Sequence, residues 1–394
     1  MTTPDAAVLC AVLGDKRIGI NGVALLSPLT GIGQYTFHLV REMQQLLPQH
    51  PWLFYATGWQ QALRNAPLPG VETWKRMFKH LVPKSYAVSR LLQQRNFSKG
   101  IRRNRIQLYH EPNFVAFRYQ GPTVVTVHDL SWIRYPETHP AERVRIMNKL
   151  MPAVMQRADH ILVDSAFVRQ EVISHYGVSA ERVTPVLLGV LPDLGPVDEA
   201  GCASVTAKYG LRYGRYILAV GTLEPRKNLS TVIAAYQQLP EAVRRHHPLV
   251  VAGINGWRME AFSDNLQRMI RQGEVILTGY VAQADLPLLY AGARMLVYPS
   301  LYEGFGLPPL EAMACGVPVI VSNRASLPEV VGDAGILVDP ADDLGISRHM
   351  QSLIEDDALH RRLSLAGSER AASFTWRKCA LETLAIYGKV LSGA

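Results

Sequence analysis

The sequence predicts an α/β protein built from two doubly wound domains, each a parallel sheet covered by helices on both faces. Three observations predict it. Short apolar runs alternate with longer segments of helical period through both halves of the chain, the pattern of parallel strands buried on both faces. At 394 residues the chain has room for two domains of ordinary size. Near the middle, Leu191-Pro-Asp-Leu-Gly-Pro-Val-Asp-Glu-Ala-Gly201 interrupts the alternation with Pro, Gly and acids and reads as a linker. The expected domains are residues 1–195 and 196–375, followed by a separate amphipathic helix within 376–394.

In the first half, Arg17–Asn21 is the first strand, after a possible leading strand at Val8–Leu13. Gly31-Ile-Gly33-Gln-Tyr-Thr36 opens a helix that runs through Leu47. Strands follow at Trp52–Ala56, Leu108–His110, Thr123–His128 and His160–Val163. Helices lie at Ala141–Ala158 and Ser165–Tyr176, with Ser165 suited to the N-cap. In the second half, Tyr216-Ile-Leu-Ala-Val-Gly221 is a buried strand ending in a glycine turn, and Leu229–Gln238 is helical. Leu249–Ala252 and Val275–Thr278 are strands, and Ala284–Gly292 is a helix. Met295–Tyr298, Val317–Ser322 and Gly335–Val338 complete the strands; Ala358–Phe374 and Trp376–Leu391 are helices. Doubly wound domains bind ligand at the carboxyl ends of their strands.

Pro299-Ser-Leu-Tyr-Glu-Gly-Phe-Gly-Leu-Pro-Pro-Leu-Glu-Ala-Met-Ala-Cys-Gly-Val-Pro-Val-Ile320 carries the densest chemistry. Glu303 and Glu311 flank a loop that runs into a short helix, expected from Pro309 to Cys315 because Pro308 and Pro309 suit a first turn while Gly316 and Pro318 stop it. The helix start offers unpaired amides and a positive dipole end, and Gly304 and Gly306 let the backbone approach a ligand. This makes a site for a diphosphate flanked by carboxylates that accept from hydroxyls, the pattern of a nucleotide-sugar. Gly221-Thr-Leu-Glu-Pro-Arg-Lys-Asn228 adds Arg226, a bidentate phosphate donor, and Lys227, a compact charge, both suited to a leaving group whose charge grows. A basic loop that caps a helix remains the plainer alternative. Gly31-Ile-Gly33-Gln-Tyr35 is a second glycine turn before a helix, but Thr36 breaks the dinucleotide pattern and no acid stands about 20 residues on, which disfavours an NAD dehydrogenase. Val125-Thr-Val-His128-Asp129-Leu130 delivers a His and an Asp at a strand end; the His could take a proton or simply be satisfied internally. His110-Glu111-Pro112 is a weaker pair of the same kind.

Composition, 48% hydrophobic and 19% charged, is that of a soluble globular protein. The four cysteines show no metal-ligand spacing, and no signal peptide or membrane span is expected. The +8 net charge is uneven: residues 71–105 hold ten Lys or Arg against one acid, Glu72, with apolar residues interleaved at helical spacing. Such a segment fits an anionic membrane surface or acceptor; a solvated helix face and nucleic acid are the alternatives.

In order and in spacing, Gly31-Ile-Gly-Gln-Tyr-Thr36, Thr126-Val-His-Asp-Leu130, Gly221-Thr-Leu-Glu-Pro-Arg-Lys-Asn228 and Pro299-Ser-Leu-Tyr-Glu-Gly-Phe-Gly-Leu307 resemble the retaining glycosyltransferases of family GT4, with their Glu-x7-Glu signature and GT-B fold. The resemblance covers nearly the whole chain and looks most like bacterial mannosyl- or rhamnosyltransferases of O-antigen and exopolysaccharide assembly. It implies two Rossmann-like domains facing a central cleft, with the final helix crossing back to the first, acceptor-binding domain. It implies that Arg226 and Lys227 hold the donor diphosphate and that Glu303 holds sugar hydroxyls, oriented by the loop of Gly304, Phe305, Gly306 and Leu307. Glu311 would take the ribose hydroxyls, Tyr280 and Val281 would bracket the base, and Gly33 would lie over the phosphates or line the acceptor side. His128 would contact the donor sugar, with Asp129, His110 and Glu111 towards the acceptor. No residue stands out as a covalent nucleophile, and the resemblance implies a front-face reaction instead. There is no Asp-x-Asp triplet, and since GT-B enzymes generally use protein cations in place of a metal, the resemblance implies neither metal nor cofactor. The expected partners are a nucleoside-diphosphate sugar, GDP-linked by preference, a polyprenyl-diphosphate-linked saccharide, and an anionic membrane met through residues 71–105, with no nucleic acid. The expected place is the inner face of the cytoplasmic membrane. A nucleotide-sugar epimerase of the same fold, or a non-catalytic nucleotide-sugar-binding subunit, stays open.

Overall fold

A computed structural model describes residues 6–27, 31–47, 51–64, 85–221, 224–253 and 264–393. The chain forms two compact units: residues 1–130, 141–189 and 376–394 in the first, 131–140 and 190–375 in the second. The boundary expected after residue 195 therefore falls at 189/190, and residues 131–140 join the second unit rather than the first.

The first unit carries β1 (Ile18–Asn21), β2 (Trp52–Phe54), β3 (Trp59–Gln60), β4 (Leu108–Glu111), β5 (Thr123–Val127), β6 (His160–Val163) and β7 (Val183–Pro185) in the order β3-β2-β1-β4-β5-β6-β7. All pairs are parallel except β2–β3. β1, β4, β5 and β6 are buried at every position, as strands covered on both faces must be. Val8–Leu13, expected as a leading strand, lies in a helix, Ala6–Leu13; its Ala and Leu favour helix, and it packs on the last helix instead of pairing with the sheet. That last helix, Trp376–Ser392, belongs to the first unit and packs on helix Gly31–Leu46.

The second unit holds β8 (Ile217–Val220), β9 (Leu249–Ala252), β10 (Val275–Gly279), β11 (Met295–Tyr298), β12 (Val319–Ser322) and β13 (Ile336–Val338), all parallel, in the order β10-β9-β8-β11-β12-β13. Its core joins Ile217, Leu249 and Val297 of the sheet to Val232, Tyr236, Ile346 and Met350 of the covering helices. Several of its helices were not foreseen, the longest being Glu199–Tyr209 and Asp343–Glu355. Glu199–Tyr209 starts inside the expected linker, where the Asp198 side chain caps Gly201 N; Asp343–Glu355 is capped by Asp342. Helix Leu307–Ala314 begins two residues earlier than expected, with both prolines in its first turn and Gly316 left-handed (φ 73°) just past its end. Strand order reverses between β8 and β11, so the loops that follow these two strands border the crevice where such sheets bind ligands.

No described helix is long and apolar enough to cross a membrane. Of the basic segment, residues 71–84 lie outside the described residues, as do Thr222 and Leu223 of the Arg-Lys-Asn loop.

Candidate active site

The loops after β8 and β11 are stitched together before any ligand arrives. Gly221 ends β8 with φ 142°, and Gly253 at the end of β9 passes so close that a Cβ there would lie 1.8 Å from Gly221 O. A tight turn, Pro225–Lys227, leads to Asn228, which takes the left-handed conformation (φ 58°) that Asn tolerates. The Asn228 amide donates to Pro299 O (3.0 Å) and Pro340 O (2.8 Å), and Thr231 Oγ1 donates to its Oδ1 (2.7 Å). Leu301 N reaches back to Arg226 O (2.7 Å). The two loops thus form one body, with Arg226 and Lys227 turned towards Glu303.

Glu303 is the hub. Its Oε1 accepts from Lys227 Nζ (2.6 Å), Tyr298 OH (2.8 Å) and Ser300 Oγ (2.7 Å), and its Oε2 from Arg226 Nη1 (3.1 Å). Burial opposes its ionisation, but Lys227 and Arg226, with the hydrogen bonds, outweigh that and hold the carboxyl down at about 2. Lys227 lies lower than an ordinary lysine because burial, and Arg226 beside it, outweigh the attraction of Glu303. The carboxyl sets the charge state of the cluster: two cations face it, whereas each cation has the other nearby. Arg226 is further engaged by Glu224, from Nε and Nη2 (both 3.2 Å), and by Tyr302 O (3.0 Å). Lys227 and Tyr298 also line an open pocket of about 310 Å³ with Val220, Gly221, Leu229 and Val297.

The Glu303 loop is shaped from within. Ser326 Oγ lies 2.9 Å from Glu303 O and 2.6 Å from Phe305 O. Gly304 and Phe305 are buried, and Gly306 takes φ 122° at the N-cap of helix Leu307–Ala314, where a Cβ would meet Leu327 Cδ2 at 2.7 Å. Leu307 is half-buried at the helix start. One turn on, Glu311 Oε2 accepts from Tyr290 OH (2.9 Å), and burial pushes the Glu311 carboxyl up to about 7 against that bond. Tyr280 is largely exposed, just past left-handed Gly279 at the end of β10, and Val281 beside it is buried.

The residues singled out in the first unit behave differently. β5 and β6 pair Val127 with Val163, so one step on His128 stands beside Asp164. His128 Nδ1 lies 2.7 Å from Asp164 Oδ2, and its Nε2 donates to Pro112 O (2.9 Å). Tyr35 and Phe114 pack edge-on against the ring. Burial alone would lower this histidine, but Asp164, the Pro112 carbonyl and Asp129 together raise it. Both ring nitrogens are therefore bonded, the internally satisfied arrangement that the sequence left open beside proton transfer. His110 and Glu111, expected towards the acceptor, are instead sealed in the core. His110 bonds Thr126 Oγ1 (2.7 Å) and the Tyr387 hydroxyl (2.6 Å), and burial brings it down to about 3, a neutral ring. Glu111 accepts from Asn21, from Tyr109 OH (2.5 Å) and from Asn113 N (3.1 Å), and burial pushes it up to about 7. Neither side chain can reach an acceptor; they lock β4 to its neighbours and to the last helix. Gly33 is buried in the first turn of helix Gly31–Leu46, and Asp129 is half-buried after β5.

Two family models match. Residues 29–194 match the one described as Glycosyltransferase Family 4, and residues 209–370 the one described as Glycosyl transferases group 1. Over 366 residues the chain is 38% identical to the O-antigen chain mannosyltransferase B of Escherichia coli, covering 91% of this chain and 96% of that one. The chain belongs to glycosyltransferase family 4. This family 4 enzyme is also 35% identical, over 271 residues, to the serotype-specific mannosyltransferase WbdA of Escherichia coli, spanning 66% of this chain and 32% of that longer protein. Among solved structures, a sucrose-phosphate synthase from Thermosynechococcus elongatus matches with a TM-score of 0.71 at 21% identity, over 96% of this chain and 100% of that one, a likeness of fold. The enzyme has the GT-B fold.

Sequence reasoning missed Glu224, Tyr298, Ser300, Tyr290 and Asp164 as partners of the site residues. A signal existed for two of them: Tyr298 ends β11 and Asp164 follows β6, both polar groups at the carboxyl ends of apolar strands. Among the described residues, no group of three or more His, Cys, Asp or Glu is arranged to hold a metal ion.

Proposed function

We propose that this enzyme transfers mannose from GDP-mannose to a saccharide carried on a polyprenyl diphosphate in O-antigen assembly, with retention of configuration and without a metal. The observation that carries the reading is the cluster of Glu303, Lys227 and Arg226 at the strand-order reversal of the second unit. Similarity along 91% of the chain to an O-antigen mannosyltransferase supports mannose over rhamnose. Lys227 and Arg226 stabilise the departing diphosphate, a role in which one lost charged contact costs about 3–4 kcal/mol of barrier. Glu303 takes sugar hydroxyls and Glu311 the ribose. A front-face reaction fits the carboxylates: Glu303 is tied to four donors and Glu311 to Tyr290, so neither is a loose nucleophile. The leaving diphosphate, rather than the doubly bonded His128, takes the acceptor's proton.

The acceptor is met at an anionic membrane surface on the cytoplasmic side. In helix Ser85–Arg103, Leu91 and Leu92 are 71% and 57% exposed, and Arg95, Lys99, Arg102 and Arg103 are exposed on the turns that follow. Arg90 is not part of this face; it donates to Val115 O (2.7 Å) and stacks on Phe117.

Calorimetric titration with GDP, UDP and ADP, with Glu311→Ala as control, tests the donor. GDP preference lost in the variant supports the reading; preference for UDP or ADP refutes the GDP assignment, and no binding refutes the donor site. Transfer from GDP-mannose that survives EDTA is expected; abolition by EDTA with rescue by Mg²⁺ or Mn²⁺ refutes metal independence.

A further inference from the structure

We propose that Tyr290 is a positioning residue for nucleotide binding: its hydroxyl pins one oxygen of Glu311 so that the other is presented, ionised, to the ribose hydroxyls. The inference rests on the reading of Glu311 as the ribose partner and adds to it the group that orients that carboxylate. Tyr290 is fully buried in the short helix Leu286–Ala291, which packs on helix Leu307–Ala314. A buried phenol needs an acceptor, and the one it finds is Glu311 Oε2 at 2.9 Å. Oε1 makes no hydrogen bond to any described residue, so the carboxylate has one tethered oxygen and one to offer.

Glu311 contrasts with Glu303. Among the described residues no cation faces it, and burial leaves its carboxyl at about 7, with the Tyr290 bond opposing that rise. The ionisable groups around the pair are Tyr290 itself, Tyr298 of β11 behind it, and Cys315 just past the end of the Glu311 helix. β12 and helices Leu327–Val331 and Asp357–Ala371, which also pack on that helix, bring no group that shifts it. A carboxylate accepts hydroxyls more strongly than a carboxylic acid, so nucleotide affinity should rise with pH through neutrality, and Tyr290 should set where that rise falls.

The test is calorimetric titration of the full chain with GDP from about pH 5.5 to 8.5, around the ordinary range of a group titrating near neutrality. Wild type, Tyr290→Phe and Glu311→Gln are compared, with inorganic pyrophosphate as the ligand lacking ribose. Subtracting the Glu311→Gln profile removes the ligand's own titration. The expected result is a rise in wild-type GDP affinity near neutral pH that Glu311→Gln abolishes. In Tyr290→Phe affinity should fall roughly tenfold, the size of one lost hydrogen bond to a charged group, and the rise should move to higher pH. Pyrophosphate binding should be the same in all three. A Tyr290→Phe loss with the pH of the rise unmoved, or with pyrophosphate weakened equally, would make Tyr290 a packing residue and overturn the proposal. If Glu311→Gln leaves GDP binding unchanged, the ribose reading of Glu311 has failed instead. Thermal melting of both variants identifies any that fail to fold.

Discussion

Replacing Glu303 by Gln probes the centre of the site, because it removes one charge and keeps the shape. The carboxyl sits at about 2 in the folded chain against an ordinary 4.5. At about 1.4 kcal/mol per pH unit, that difference makes its ionised form worth about 3 kcal/mol of folding stability. Breaking a buried ion pair from one side costs about 3–5 kcal/mol, the same range. For a unit of this size, about 3 kcal/mol corresponds to a melting temperature lowered by roughly 6–12 °C. The pH dependence has a definite sign: the folded value lies below the unfolded one, so the contribution is complete above about 4.5 and is lost as the pH falls towards 2. Wild type should therefore lose stability between these values faster than Glu303→Gln. Transfer should drop at least about 100-fold, as for lost transition-state contacts, while GDP affinity should hold or rise, because Lys227 and Arg226 lose their resident anion. Calorimetric melting, a stability profile from pH 5 down to 3, and GDP titration give the three readouts. A variant with wild-type melting and acid profile, or with GDP affinity reduced tenfold, would refute the assignment of Glu303 as counter-ion to both cations.

Lys227→Ala should cost transfer roughly 100- to 1,000-fold, mostly in kcat, since the ammonium is asked to meet charge that develops on the leaving group; steady-state kinetics with GDP-mannose check it. Gly253→Ala should destabilise the second unit by at least about 1–3 kcal/mol, because the new methyl would lie 1.8 Å from the Gly221 carbonyl and the backbone must move; urea unfolding measures it. Reversing Lys99, Arg102 and Arg103 to Glu should abolish sedimentation with anionic vesicles at low salt yet leave GDP binding unchanged; unaltered vesicle binding would remove this helix from the membrane surface.

The fold was legible because strands buried on both faces read as uninterrupted apolar runs. β9, β11 and β6 fall where the sequence put them, β4 and β10 run one residue longer, and the other foreseen strands that form are trimmed at their ends. What failed depended on tertiary context. Val8–Leu13 has the composition of a strand or a helix, and only the last helix beside it decides. Asp343–Glu355 and Glu199–Tyr209 are helices whose polar faces and acidic starts hide them among loop signals. At the site, motifs named Glu303, Arg226 and Lys227, but not which group each one faces. His110, Glu111 and His128 show the limit most plainly. A titratable residue at a strand end looks like chemistry in sequence, yet Tyr387, which is 277 residues from His110, and Thr126, Asn21, Tyr109 and Asp164 satisfy these three internally.

The two glutamates of the signature hold opposite electrostatic positions, and that difference explains why a site for an anion contains carboxylates at all. Two cations held close in a buried loop repel each other and lose hydration, so without an anion they would splay or shed a proton. Glu303 supplies that anion and keeps Arg226 and Lys227 in place, at the cost of tying up the charges that a diphosphate needs. On the proposed reading, a donor does not have to assemble the site; it has to compete for cations already aligned. As the glycosidic bond breaks, charge would move onto the diphosphate and the competition would tilt towards it, so the cations would contribute more in the transition state than in the ground state, the condition for catalysis rather than mere binding. Glu311, with no cation beside it among the described residues and a carboxyl near 7, is not placed to play that part. On the proposed reading its value lies in accepting hydroxyls, a task that needs an ionised and oriented carboxylate, and Tyr290 is the group in contact to orient it.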